Sequence, residues 1–323
     1  MVIDLTKNNS TASIKNIDED IALQYYKKLN LDHSSPSQEA LSDSEFLVRY
    51  CLFTQEDRRL LNGSSKMNAG VSIGRASQRY LSKYMFEAEK KLLNEKKSID
   101  QIIDEELKLY DQYQPHNQLD KEEHEDTKNY LVDMIKITCN SLKELDLGNE
   151  VASERYCTYK FDGLALEKIG RLDFEQLDKT GKNGKIVELK TKHRSKRKSS
   201  NKNGFTWTKG YLPKETPDIN HIRQCAFYWK ATGGKVPHLL YVNQDSHVLF
   251  TAENCDLLTP EYMEFIIQQD LIKAKIRQNL IVMCKGNPYE MAKLIPPPDF
   301  SSYMWKNVQQ EYVLKAASLW DNI

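Results

Sequence analysis

Three residues in this chain have the types and spacing for hydrolytic chemistry. Asp173 lies on one short run that alternates apolar with polar residues. Glu188 and Lys190 lie on a second such run. The polar stretch 179–185, Lys-Thr-Gly-Lys-Asn-Gly-Lys, reads as a tight turn between them. Period-two alternation puts Glu188 and Lys190 on one face of their strand and Val187 and Leu189 on the other. Asp173 on the neighbouring strand then approaches the same spot. Two carboxylates held close repel unless a cation sits between them, and an all-oxygen donor set suits Mg²⁺ or Mn²⁺. A lysine two residues on can orient a water or offset charge on a phosphoryl oxygen. These are the parts needed for metal-assisted phosphodiester hydrolysis. A hairpin whose exposed face merely carries acids and lysines reads the same way from this spacing alone.

The elements around these residues carry further candidates. Residues 70–93 have apolar positions at helical spacing, Ala76, Tyr80, Tyr84, Ala88 and Leu92, behind Gly70 and Gly74 as entry punctuation. Gln78 is a polar position on that helix, flanked by Arg75 and Arg79. Residues 150–161 read as a strand carrying Glu154. Asp162-Gly163 reads as a turn, and Leu164–Phe174 as the returning strand. After Lys190 comes the densest basic run of the chain, His193, Arg194, Lys196, Arg197, Lys198 and Lys202. Phe205 and Trp207 follow it. A basic loop interleaved with aromatics suits phosphate contact and base stacking; the bland alternative is a solvated loop. Residues 218–231 read as a helix on which His221, Gln224 and Tyr228 share one face, while Ile222, Cys225, Ala226 and Trp229 share another.

At this point the sequence resembles the PD-(D/E)xK nucleases. Asp173 with Glu188-Leu189-Lys190 matches their D…E-x-K core. Gly170-Arg171-Leu172-Asp173 resembles the G-x-x-D of the RecB-like exonuclease branch, with Leu172 in place of the proline. Gln224 to Tyr228 resembles that branch's Q-x-x-x-Y. Gly74 to Gln78 stands where many relatives carry G-x-x-x-H, with Gln78 in place of the histidine. Within the branch, the sequence is similar to mitochondrial genome-maintenance exonucleases and related phage enzymes. The resemblance covers about residues 70–280. It implies an α/β fold with a central mixed β-sheet of restriction-endonuclease-like type, flanked by helices, with helical N-terminal and inserted elements. It implies Asp173, Glu188 and Lys190 as the catalytic set, with Mg²⁺ or Mn²⁺ held by Asp173 and Glu188 and supported by Glu154 and Gln78. Gln224, Tyr228, Arg75, Arg79, Arg194, Lys196, Arg197, Lys198 and Trp207 would then contact DNA, expected as a single strand entered from a free end. Two rival functions stand beside it: a DNA-binding protein on the same fold that does not cleave, and a site-specific endonuclease.

Composition limits the alternatives. The chain has 323 residues, 40% of them hydrophobic, with 46 basic and 46 acidic side chains. The charges are segregated, acidic over 116–126 and basic over 190–202, so a neutral total leaves a nucleic-acid partner open. Six cysteines fit no zinc spacing. The close C-terminal grouping of iron–sulphur relatives is missing, so no cluster is expected. No run of 18 apolar residues and no secretory leader is apparent, and an intracellular protein is expected. The organisation read from the chain is an N-terminal arm and helical region over 1–69, a core over 70–280 and a helical tail over 281–323. Within the core, two charged helices over 97–147 are expected to cross the mouth of the site, a plain buttress being the alternative. The helix opening at Thr259-Pro260-Glu261 is expected to turn Tyr262, Phe265, Ile266 and Ile272 inward.

Overall fold

The computed structural model describes residues 18–61, 64–86, 90–92, 97–198, 205–302, 305 and 308–321. Helices α1 (Glu19–Lys28), α2 (Pro36–Ala40) and α3 (Asp43–Phe46) lead into a π-helical stretch, Leu47–Leu52, and α4 (Gln55–Leu61). Next come α5 (Ser65–Leu81), the short strands β1 (Tyr84–Phe86) and β2 (Lys90–Leu92), then α6 (Ile99–Tyr110) and α7 (Gln118–Glu144). Strands β3 (Val151–Tyr159), β4 (Lys168–Gln176) and β5 (Lys185–Thr191) follow, then a small hairpin of β6 (Ser195–Lys198) and β7 (Phe205–Thr208). Helix α8 (Ile219–Ala231), β8 (Val236–Val242), β9 (His247–Phe250), α9 (Pro260–Met283), α10 (Pro288–Ala292) and α11 (Gln310–Ala317) complete the order.

Among the described residues, seven strands form one mixed sheet in the order β2-β1-β3-β4-β5-β8-β9. The β3–β4 and β4–β5 pairs are antiparallel, while β5 and β8 run parallel across the α8 crossover. Central strands buried on both faces read as nearly continuous apolar runs. In β8, Leu240 and Val242 enter one core cluster and Leu239 and Tyr241 the other. The first cluster is closed by α5, α6 and α7 through Ile73, Ile102, Met134 and Leu142. The second is closed by α8 and α9 through Ile222, Ala226, Met263 and Ile267.

Several expectations need correction. Helix α5 starts earlier and stops at Leu81, so Gly70 and Gly74 lie inside it; Tyr84 and Leu92 are on strands, and Ala88 lies outside the described residues. A Cβ on Gly70 would stand 3.0 Å from Thr191 Oγ1, so that glycine lets α5 approach the end of β5. Helices α6 and α7 pack behind α5 as a buttress, because their apolar stripes belong to the first core cluster. Of the N-terminal arm, residues 18–40 are packed into the fold and residues 1–17 lie outside the described residues. Ala22, Tyr26, Phe46 and Leu47 share a third core cluster with Ile281, Trp305 and Leu319. The β3–β4 connection spans 160–167 rather than a two-residue turn. The Thr259 hydroxyl bonds Asp256 O and does not cap α9; Pro260 at the first position sets that start. In α9, Phe265 and Ile272 face solvent.

One irregularity in the sheet bears on the site. Glu154 takes φ +56°, a left-handed conformation that costs a non-glycine residue free energy and persists only where its surroundings enforce it. The β3–β4 register keeps the same count on either side of it, Ser153 opposite Phe174 and Arg155 opposite Leu172, with no ladder pair between Glu154 and Asp173. Yet Val151 and Phe174 lie in the first core cluster, while Cys157 and Leu172 lie in the second. Residues of equal parity thus change face at the level of Glu154 and Asp173. Both strands turn over at the one level where their acidic residues stand opposite each other.

Candidate active site

Strand β5 sets the first two groups. Ile186 enters the second core cluster and Val187 the first, and the alternation carries Glu188 and Lys190 onto the α8 side. The β4–β5 ladder pairs Phe174 with Val187 and Glu175 with Ile186. One step further along this register, Asp173 faces Glu188. There the ladder gives way: Leu189 N–H donates to the Asp173 carboxylate at 2.7 Å. The carboxylate therefore occupies the gap where β4 and β5 part.

Glu188 is 4% exposed. Its Oε1 accepts from Lys190 Nζ at 2.5 Å, and its Oε2 is buried with no hydrogen-bond partner among the described residues. Burial, and then the charge of Glu188, push the Asp173 carboxyl well above its ordinary range. Burial raises Glu188 as well, against the pull of Lys190. Burial works to lower the Lys190 ammonium, but Glu188 and Asp173 outweigh it and hold the group above its usual value. A buried, unmet carboxylate oxygen beside a second carboxylate fits a hard divalent cation, which would satisfy the orphan oxygen and relieve the repulsion. Among the described residues no three His, Cys, Asp or Glu side chains form a ready cage. The candidate site is a two-carboxylate one.

Helix α8 supplies the next partners. Asp218 caps it by accepting from Asn220 N, and Ile222, Cys225 and Ala226 bury its inner face. Gln224 and Tyr228, one turn apart, then line up toward β4 and β5. Lys190 Nζ donates to Gln224 Oε1 at 2.8 Å, Gln224 Nε2 donates to Tyr228 Oη at 2.9 Å, and Tyr228 Oη donates to Arg171 O at 2.8 Å. Gly170 makes room for this chain of bonds. A Cβ there would lie 2.5 Å from Tyr228 Cε1 and 2.7 Å from Phe227 Cε1.

The remaining candidates divide. Gln78, 3% exposed on α5, donates to Glu154 Oε1 at 2.5 Å, and Arg171 Nε meets Glu154 Oε2 at 2.6 Å. Both oxygens of Glu154 are thus engaged, and the acid anchors a guanidinium that is itself 59% exposed on its side chain. Arg75 lines the cleft described below but pairs with Glu106. Arg79 is bound to Glu105 and Glu106 on α6 and does not line that cleft.

The basic run is partly neutralised in advance. Lys196 pairs with Glu122 at 2.5 Å and Arg194 with Asp126 at 3.2 Å, both acids on the first turns of α7. Arg194 also lies over the Trp207 ring and Lys196 over Phe205. Arg197 is exposed, and the Lys198 side chain lies outside the described residues.

Two clefts meet at this site. One, of about 620 Å³, runs along α5 and includes Lys66, Gly70, Gln78, Glu154 and His193. The other, of about 400 Å³, runs beside α2 and includes Ser35, Tyr156, Glu188, Gln224 and Tyr228. Arg171, Asp173, Leu189 and Lys190 line both. Arg171 and Lys66 are site residues that the sequence does not single out. The first stands inside a motif, where its number alone was a signal. The second gave none, since its place depends on bonds to Glu123 at 2.5 Å and Ser195 Oγ at 3.0 Å. His193 was read only as one of the basic run. Burial holds it down to about 4, and neither ring nitrogen has a partner among the described residues.

No family model matches the chain, and no curated protein matches it. A solved chain described as the crystal structure of SSO0001 matches at 15% identity, covering 47% of this chain and 69% of that one. Its TM-score of 0.27 is too low to bear on fold or function. Among the described residues no helix is long and apolar enough to cross a membrane.

Proposed function

We propose that this chain is a divalent-metal-dependent deoxyribonuclease of the RecB-like type, built on a restriction-endonuclease-like sheet and acting on single-stranded DNA from a free end. The observation that carries the reading is the closed run of contacts from Glu188 through Lys190 and Gln224 to Tyr228 and the Arg171 backbone. Three separate sequence patterns, E-x-K, Q-x-x-x-Y and G-x-x-D, supply it. Chance matches to short patterns would have no reason to meet.

Asp173 and Glu188 are the residues that would hold Mg²⁺ or Mn²⁺. Such an ion supplies Lewis-acid polarisation of a phosphoryl oxygen and stabilises the charge that builds there. The chain's own groups do the rest. Lys190, held charged between Glu188 and Gln224, would offset the negative charge that develops on the phosphoryl oxygens. Arg171, anchored by Glu154 and common to both clefts, receives the phosphate from the other side. Water attacks phosphorus, the bond to the leaving oxygen breaks, and a proton passes to that oxygen. A strand crossing from one cleft to the other places a phosphate over Asp173 without needing a duplex groove. No groove-reading module is recognisable in the sequence, which supports cutting without sequence preference.

The test compares end-labelled linear single strands, a closed single-stranded circle and a blunt duplex, each with Mg²⁺, Mn²⁺ or EDTA, against the wild type and Asp173→Asn. Metal-dependent shortening of the linear strand by the wild type alone is expected. Equal cutting by a folded D173N protein would remove the catalytic assignment. Rapid cutting of the circle would reject the need for an end, and preference for the duplex would reject the single-strand substrate.

A further inference from the structure

Helix α9 is apolar on two sides. Met263, Ile266, Ile267 and Ile281 face the interior, while Phe265, Ile272, Ile276 and Met283 are 54%, 48%, 51% and 69% exposed on the other side. With Gln269 and Asn279, the outward positions fall at 265, 269, 272, 276, 279 and 283. The steps alternate four and three residues, the spacing of a coiled-coil seam. After Glu261, every residue of the helix that is more than about a third exposed is Phe, Ile, Met or Gln. Charged residues make up 28% of this chain, so a seam with no charged residue at its own positions over some five turns is a marked depletion. Depletion of charge around large apolar side chains is the signature of an interface core, and monomers rarely leave such a stripe in water.

We infer that two copies of this chain pair through α9, antiparallel, about a twofold axis that crosses the seam between Ile272 and Ile276. The order of side chains along the seam identifies the occupant. From either end it reads apolar, amide, apolar, apolar, amide, apolar. Running two copies in opposite directions brings Phe265 onto Met283 of the second copy, Gln269 onto its Asn279, and Ile272 onto its Ile276. A twofold interface requires this self-complementarity, because each residue's contact must be returned by the other copy. The ends agree. Glu261, exposed in the first turn, comes beside Lys285 of the second copy, exposed just past the last turn. The positive end of each helix dipole then lies along the negative end of the other. Lys275, partly exposed beside the seam, meets its own copy near the axis. It holds its stem along the apolar stripe and its ammonium in water. The contact is a like-charge one on the rim, and it gives the pairing a distinctive response to mutation.

The pairing leaves the clefts open. Helix α9 reaches the site from its inner side, through α8, where Asp270 holds Arg223 at 3.1 Å and Glu264 holds Lys230 at 3.0 Å, and through α2, where Lys273 Nζ donates to Glu39 O at 2.6 Å. Sedimentation equilibrium on the full chain, from about 1 to about 100 μM, should show a monomer–dimer equilibrium. Ile272→Glu with Ile276→Glu should abolish the dimer while the far-UV circular dichroism stays unchanged, since both side chains are solvent-facing. Glu261→Lys alone or Lys285→Glu alone should weaken it about fivefold, because the pair occurs twice across the axis. The combined swap should restore it. Lys275→Gln should tighten it. A wild-type chain monomeric throughout this range would overturn the inference and leave the seam to a different protein. So would a dimer that survives the double glutamate change, or charge swaps that fail to compensate.

Discussion

Removing the Asp173 charge should make the metal-free protein more stable while removing its response to metal. The carboxyl is raised well above its ordinary 3.8, first by burial and then by Glu188. A folded state that holds a proton more tightly than the unfolded chain loses stability as pH rises past the unfolded value. In EDTA the wild type should therefore lose stability progressively above about pH 4, with Glu188 adding to the same slope. Asp173→Asn removes this part of the slope. The amide oxygen can still accept from Leu189 N, which the carboxylate meets at 2.7 Å, so the junction of β4 and β5 stays intact. Relief of a buried like-charge contact is expected to stabilise by about 1–3 kcal/mol at pH 8, and by much less at pH 4. For a chain of this size each kcal/mol moves the melting temperature by roughly 2–4 °C. Saturating Mg²⁺ or Mn²⁺, at a hundred times its dissociation constant, should stabilise the wild type by about 2.7 kcal/mol and the variant hardly at all. Thermal melts at both pH values, with and without metal, check all four quantities. A variant less stable than wild type in EDTA at pH 8, or equally stabilised by metal, would refute the two-carboxylate site.

Other consequences follow from particular contacts. Lys190→Ala should lower turnover at saturating DNA by about 10²–10³-fold, with affinity in metal-free buffer changed far less; equal turnover would end its assigned role. Glu122→Gln with Asp126→Asn should tighten single-strand binding and steepen its salt dependence, by about 0.7 log–log units for each freed cation that reaches a phosphate. A fluorescence-anisotropy salt titration would show instead an unchanged slope if Arg194 and Lys196 never leave the protein surface. Gly170→Ala should cost about 1–3 kcal/mol through overpacking against Tyr228 and Phe227. It should also cut activity by more than the lost folded fraction, read by denaturant melts beside single-turnover rates.

What could be read in the sequence was whatever is carried by neighbours along the chain. The Glu188–Lys190 face needs only strand alternation, and the Gln224–Tyr228 line needs only one helical turn. Glycine misled, because Gly70 and Gly74 read as punctuation yet both lie inside α5, where Gly70 serves close packing. Phe265 and Ile272 were expected inside for a different reason: α9 is apolar on both sides, and periodicity cannot say which side meets the core. The pairing of Arg194 and Lys196 with acids some seventy residues earlier leaves no local trace. The inversion at Glu154 was equally hidden, since the alternation of types runs through it unchanged while the backbone does not.

The third core cluster couples residues made far apart in time. Trp305 Nε1 bonds Glu45 Oε1 at 2.7 Å inside it, and Ala22 and Phe46 wait there for Ala316 and Leu319. On a ribosome, the early segment emerges long before its packing partners. It is also the segment that brings Ser35 to the second cleft and Glu39 to Lys168 at the start of β4. A nascent chain can thus assemble Asp173, Glu188 and Lys190 while one wall beside them is still unsupported. Local hairpins form early and contacts of long sequence separation form late. The proposed activity should accordingly be complete only once the last helices are in place, and a chain stalled near residue 300 should be protease-sensitive over 18–61 while its sheet is already protected. Under the function proposed above, the same coupling would keep an incomplete chain from acting on nucleic acid around the ribosome that is making it.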